Sequence, residues 1–134
     1  MDGTATTFRP AHPHAPDVLI VEDESVARRA MASLLASSGY HPAAYESAEE
    51  ALEFVAGGEP PPVALVDVDL PGMSGLDLIE RLKELHPNLV AVLITAAEGD
   101  RIDRFRSRHR VMYFRKPVDF GRLLQAMNRS QPMH

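Results

Sequence analysis

Four apolar residues in a row, Val63, Ala64, Leu65 and Val66, run straight into an acid, Asp67. An unbroken apolar run with two valines reads as a strand covered on both faces, which a sheet flanked by helices provides. The strand hands a carboxylate to its own carboxyl end. Pro71 and Gly72 then force a turn, and Ser74 and Gly75 open a helix. The carboxyl ends of parallel strands form the rim where open α/β sheets place their ligands. Asp67 is therefore a candidate nucleophile or metal ligand, and the rest of the chain is read for its partners.

The 134 residues, 45% of them hydrophobic, suit one globular domain with a proper core. A net charge of −5 argues against general nucleic-acid binding and against an anionic membrane surface. With no cysteine, disulfides, thiolate metal sites and cysteine nucleophiles are excluded. The N-terminus lacks the basic-then-apolar order of a signal peptide, and the longest aliphatic run, 89–94, is too short to span a bilayer. The expectation is a soluble, cytoplasmic protein.

Residues 1–16 carry Pro10, Pro13 and Pro16 and show no periodicity, so they read as a disordered leader, with His12 and His14 as solvated side chains rather than a metal clip. A first strand over 18–21 ends in Glu22, Asp23 and Glu24. A helix over 25–38 follows, with two apolar rows, Val26/Ala30/Leu34 and Ala27/Met31/Leu35, stopped by Gly39. The segment 41–45 is a poor strand because Pro42 lies in it, which assigns it to a sheet edge. Ser47 and Glu50 form a capping box, and that helix stops at Gly57. After the central strand, a helix over 74–86 is expected to bury Leu78, Ile79, Leu82 and Leu85. A fourth strand over 89–94 ends in Thr95, Ala96 and Ala97; a fifth over 111–114 ends in Arg115, Lys116 and Pro117. A last helix spans 119–128, and 130–134 form a tail. Five alternations of strand and helix specify an α/β fold: a parallel sheet with helices on both faces and right-handed crossovers.

In a five-stranded sheet of order 2-1-3-4-5, strands one and three are neighbours at the switch point. Glu22 and Asp23 then face Asp67 across one crevice, with Thr95 and Lys116 on its far wall. The same order puts the proline-bearing second strand at an edge. A like-charge pair at about 4 Å costs on the order of 4 kcal/mol at an effective dielectric of 20. Raised pKa values, the Lys116 ammonium or a divalent cation would offset it. Hard oxygen ligands with room for water and phosphate oxygens favour Mg²⁺. Lys116 would then serve as a point charge for a phosphoryl group and Thr95 as a hydroxyl donor to it. The plainer alternative is a structural salt-bridge cluster.

Glu22-Asp23, Asp67 with its spacing to Pro71 and Gly75, Thr95-Ala96 and Lys116-Pro117 together resemble the receiver domain of two-component response regulators, over about 17–129. That resemblance implies a flavodoxin-like fold and a set of roles. Asp67 would be the phosphoacceptor, attacking a phosphohistidine on a sensor histidine kinase or histidine phosphotransfer protein. Asp23 and Asp67 would hold Mg²⁺ through carboxylates, Asp69 through its backbone carbonyl and Glu22 through a metal-bound water. Lys116 would pair with Asp67 or its phosphoryl group, Ala96 would contact the phosphoryl group, and Thr95 would swing in to bond it, followed by a rotamer change at Tyr113. Asp69 and Ala97 would flank the water that attacks the acyl phosphate. A downstream protein would read the face made by helix four, strand five and helix five, and a homodimer could also form.

One segment departs from that pattern. Between Arg101 and Arg110 only Ile102 and Phe105 can face inward, so the fourth helix is expected to be short or irregular. Its arginines are either a solvated basic face or a docking surface for an acidic partner. The chain ends soon after the fifth helix, which fits a single-domain receiver or a piece of a longer regulator. Two other functions compete with the phosphorylated switch. One is a pseudo-receiver that works as an unphosphorylated dimerisation module. The other is an aspartate-nucleophile phosphatase of the haloacid dehalogenase type, read from Asp67-Val68-Asp69.

Overall fold

A computed structural model describes residues 15–130. Residues 1–14 of the expected leader, with His12 and His14, and all of the C-terminal tail but Ser130 lie outside the described residues. Five strands and five helices alternate: β1 (Val18–Val21), α1 (Ser25–Ser37), β2 (Pro42–Tyr45), α2 (Ala48–Ala56), β3 (Val63–Asp67), α3 (Gly75–Leu85), β4 (Val90–Thr95), α4 (Asp100–Arg108), β5 (Met112–Arg115) and α5 (Phe120–Ser130). All strand pairs are parallel, in the order β2-β1-β3-β4-β5. The weak second strand is at an edge, where the missing N–H of Pro42 costs no ladder bond.

Strand alternation divides the core in two. Leu19, Val21, Ala64, Val66 and Leu93 point to the face covered by α2, α3 and α4. Val18, Ile20, Leu65, Val92 and Ile94 point to the face covered by α1 and α5. The central strand is buried at every position, as a strand with helices on both sides must be.

Helix starts follow the local chemistry. Glu24, the last of the three consecutive acids, caps α1 by accepting from the backbone N–H of Ala27 at 2.9 Å. Ser47 caps α2 by accepting from Glu50 N at 3.1 Å, but the return arm of the box, Glu50 Oε1, takes the N–H of Glu46 rather than that of Ser47. Ser74 caps α3 through Asp77 N. The fourth helix has no side-chain cap: it begins after Gly99 (φ 146°) and buries only Ile102 and Phe105.

Of the two apolar rows on α1 the second seats on the sheet; Val26 is 66% and Leu34 47% exposed, and Ala30 and Leu34 line a groove beside α5. One burial expectation is corrected. Leu85 is 53% exposed. As the last residue of α3 it lies past the core reached by Leu78, Ile79 and Leu82. Among the described residues, no helix is long and apolar enough to cross a membrane.

Candidate functional site

The strand ends converge at one rim. Asp67 is the last residue of β3, and the register sets it beside Ile94, one position before Thr95. Its residue is 5% exposed. Asp67 Oδ1 accepts the N–H of Asp69 at 3.0 Å, and Oδ2 accepts from Lys116 Nζ at 2.8 Å. Glu22, immediately after β1 and 2% exposed, binds the same ammonium through Oε1 at 2.9 Å. Its Oε2 accepts the Glu24 N–H at 3.1 Å. Asp23, next along, is exposed. One carboxylate oxygen from each of Glu22, Asp23 and Asp67 lies within 4.8 Å of the others.

Lys116 is thus the counter-charge to two buried acids. Burial opposes its charge, but the hydrogen bonds it donates to Asp67 and Glu22, with their negative charge, outweigh that and hold its pKa above the ordinary lysine value. For Glu22, burial is the larger influence and pushes the carboxyl up; the Lys116 hydrogen bond pulls the other way. Three acids against one ammonium leave an excess of negative charge at an all-oxygen site open through Asp23. Such a donor set fits a hard divalent cation.

The chain also ties the rim together through its backbone. Lys116 N donates to Thr95 O at 2.9 Å, and Val68 N to Ile94 O at 2.9 Å. Arg28 reaches back from α1 to the carbonyls of Glu22 and Asp23, at 3.0 and 3.3 Å. The Lys116–Pro117 peptide is cis.

Close approach explains Gly75. A Cβ there would meet the Asp67 carbonyl oxygen at 2.0 Å and Val68 Cα at 2.9 Å. The first residue of α3 therefore presses on the backbone that carries Asp67, where no side chain fits. The sequence marks Gly75 as a helix opening and, by its spacing from Asp67, as part of the receiver pattern; glycine is a poor choice inside a helix, and that mismatch is the physical signal.

On the far wall, Thr95 is fully buried. Its Oγ1 accepts the Ala97 N–H at 2.9 Å, so the hydroxyl is engaged by its own loop rather than by the carboxylates. The carbonyl of Ala97 is 3.5 Å from the Tyr113 hydroxyl, and the Arg106 guanidinium sits 4.4 Å over the Tyr113 ring. Glu98 and Arg115 form an ion pair across the same loop. Ala96 is exposed, with its carbonyl 3.5 Å from Arg115. Asp69 is exposed; its amide, not its carbonyl, makes the contact to Asp67. Glu22, Asp23, Asp67 and Lys116 are therefore gathered in one cluster with the Thr95 backbone beside it, whereas Tyr113 connects only through the loop after β4. The sequence offers Arg106 only as one of the arginines of a docking face; its place over Tyr113 is not legible there, because a guanidinium over an aromatic ring on another element leaves no trace in spacing.

Comparisons with known proteins agree with this geometry. The family described as the response regulator receiver domain matches residues 18–128. Sporulation initiation phosphotransferase F of Bacillus subtilis is 27% identical over 117 residues, which cover 87% of this chain and 94% of that protein. A cyclic di-GMP phosphodiesterase of Thermotoga maritima is 41% identical over 85 residues, covering 63% of this chain but only 22% of the longer protein. The chain thus spans under a quarter of one relative and nearly all of the other. The response regulator TrrA of Thermotoga maritima, solved in complex with Mg²⁺ and BeF, superposes with a TM-score of 0.77 at 25% identity, covering 87% of this chain and 99% of that one. With acids after β1, an acid at the end of β3, a buried threonine at the end of β4 and a lysine after β5 in one crevice, this chain belongs to the receiver-domain family of two-component response regulators.

Proposed function

We propose that the chain is a phosphorylation-activated signalling switch whose phosphoacceptor is Asp67. The observation that carries this reading is the 2.8 Å contact of Lys116 Nζ with a buried Asp67 that also faces Glu22 and Asp23. A carboxylate oxygen of Asp67 attacks the phosphorus of a phosphohistidine on a histidine kinase or phosphotransfer protein. The P–O bond forms as the P–N bond breaks, and the departing imidazole nitrogen keeps the electron pair. Asp23 and Asp67 carboxylates, the Asp69 carbonyl and, through water, Glu22 would hold Mg²⁺, which when bound neutralises phosphoryl oxygens.

Lys116 stays beside the transferred group as a fixed positive charge. The Thr95 hydroxyl leaves the Ala97 N–H and donates to a phosphoryl oxygen, and Tyr113 moves with the loop. One such hydrogen bond contributes about 0.5–1.5 kcal/mol, too little for full switching, so the metal, repacking or a selective partner supplies the rest. For the donor, a groove of about 250 Å³ between α1 and α5 runs from Glu22 and Lys116 over Ala30, Leu34 and Phe120. The exposed Val26 and Leu34 extend that apolar surface beside the reacting carboxylate. On the output side, Arg104, Arg106 and Arg108 of α4 are exposed and suit an acidic partner.

Treatment with acetyl phosphate and Mg²⁺, read by intact mass, tests the reading. Wild type is expected to gain one hydroxylamine-labile phosphoryl adduct and Asp67→Asn none. No adduct on wild type, or an adduct that persists on the variant, would overturn it.

A further inference from the structure

At the end of the sheet away from Asp67, the last turn of α3, the following loop and the starts of β4 and β5 enclose a cleft of about 550 Å³. That size lies within the range of about 300–1,000 Å³ typical of small-molecule sites. Its apolar wall is Pro87, Val90, Val111 and Met112, and its polar side chains are Lys83, Asn88 and Arg110. No acid lines it.

Lys83 donates to the Leu89 carbonyl at 3.3 Å. Among the described residues, no carboxylate lies within ion-pair distance of Lys83 or Arg110. Among the described residues Lys116, Arg115, Arg122 and His109 have acid partners; what distinguishes Lys83 and Arg110 from the other cations without one is that both line the same cleft. Burial, and then the charge of Arg110, push the Lys83 pKa down. Convergent cations beside an apolar wall are the complement of an anion carried on an apolar body.

We propose that this cleft binds a small phosphorylated molecule with a flat apolar body, of the size and charge of a nucleoside monophosphate. Lys83 and Arg110 take the phosphate, the guanidinium through two parallel N–H bonds, while the base packs on Val111, Met112 and Pro87. Asn88 is the available side chain for a hydroxyl or ring nitrogen.

The probes are adenosine monophosphate, adenosine and inorganic phosphate, titrated into the full chain and followed by heteronuclear NMR at the amides of Leu89, Val111 and Met112. Asp67→Asn is used throughout to keep the acceptor carboxylate out of the readout. The monophosphate is expected to give saturable shifts at millimolar concentration or below, with adenosine and phosphate each about tenfold weaker or more. Lys83→Met and Arg110→Met are each expected to weaken it about tenfold. Their dispersed spectra report folding independently, and Arg110, being exposed, keeps the test valid if the Lys83 variant unfolds. No saturable shift with the monophosphate, equal binding of adenosine, equal binding of phosphate, or shifts that survive the Arg110 substitution would overturn the proposal.

Discussion

The two walls of the crevice are built differently. On the β1–β3 wall, two carboxylates that are 2% and 5% exposed share one ammonium at 2.9 and 2.8 Å, and Gly75 presses from below. On the β4–β5 wall, beyond the buried Thr95, contacts are made at the surface: a 3.5 Å hydroxyl contact, a guanidinium over a ring and an exposed ion pair. The α4 helix behind them has no side-chain cap and two buried residues. Buried, hydrogen-bonded charge fixes geometry, whereas exposed pairs contribute little and rearrange at little cost. The first wall is thus held fixed, and the second is the part that rearranges at little cost.

That contrast can be broken by substitution. Gly75→Ala forces its methyl into the Asp67 carbonyl and is expected to cost about 3 kcal/mol in urea unfolding while displacing the acceptor. A loss below about 1 kcal/mol would mean that the first wall yields as easily as the second.

Lys116→Met leaves Glu22 and Asp67 without their shared cation, and about 2–3 kcal/mol of destabilisation is expected. Its pH dependence sharpens the comparison. The folded state holds the Lys116 pKa above the ordinary 10.5, so its contribution is full below that pH and is lost as pH rises through the raised value. Wild type should therefore lose stability in that alkaline window, and the variant should lack that component of the loss.

The smallest effect is expected on the second wall. Arg106→Ala removes the cation over Tyr113 and is expected to cost only about 0.5–1 kcal/mol. Its clearer signature is a change in the Tyr113 ring environment by NMR with Asp67 phosphorylation preserved. A stability loss matching that of Lys116→Met would erase the distinction between the walls.

Much of this was readable from residue order because buried strands announce themselves. The runs 18–21 and 63–66 are apolar without interruption, and each delivers acids at its end, so the crevice follows once the order of strands is known. What was not readable depends on which side of an element faces what. Val26 and Leu34 share an apolar row, but a helix seats only part of its apolar surface. Glu22 was assigned a metal-bound water by resemblance, and its direct bond to Lys116 spans 94 positions, beyond the reach of any spacing rule. The exclusion of a side chain at Gly75 likewise depends on a backbone approach that only the folded chain creates.

Lys116 is held twice, by its ammonium to Glu22 and Asp67 and by its backbone N–H to the Thr95 carbonyl, while Val68 is laced to Ile94. Strand tips stitched in this way cannot slide past one another. On the function proposed above, a message leaving Asp67 starts as the swing of a hydroxyl and the slackening of a loop, with the sheet as the anvil and α4 as the moving part.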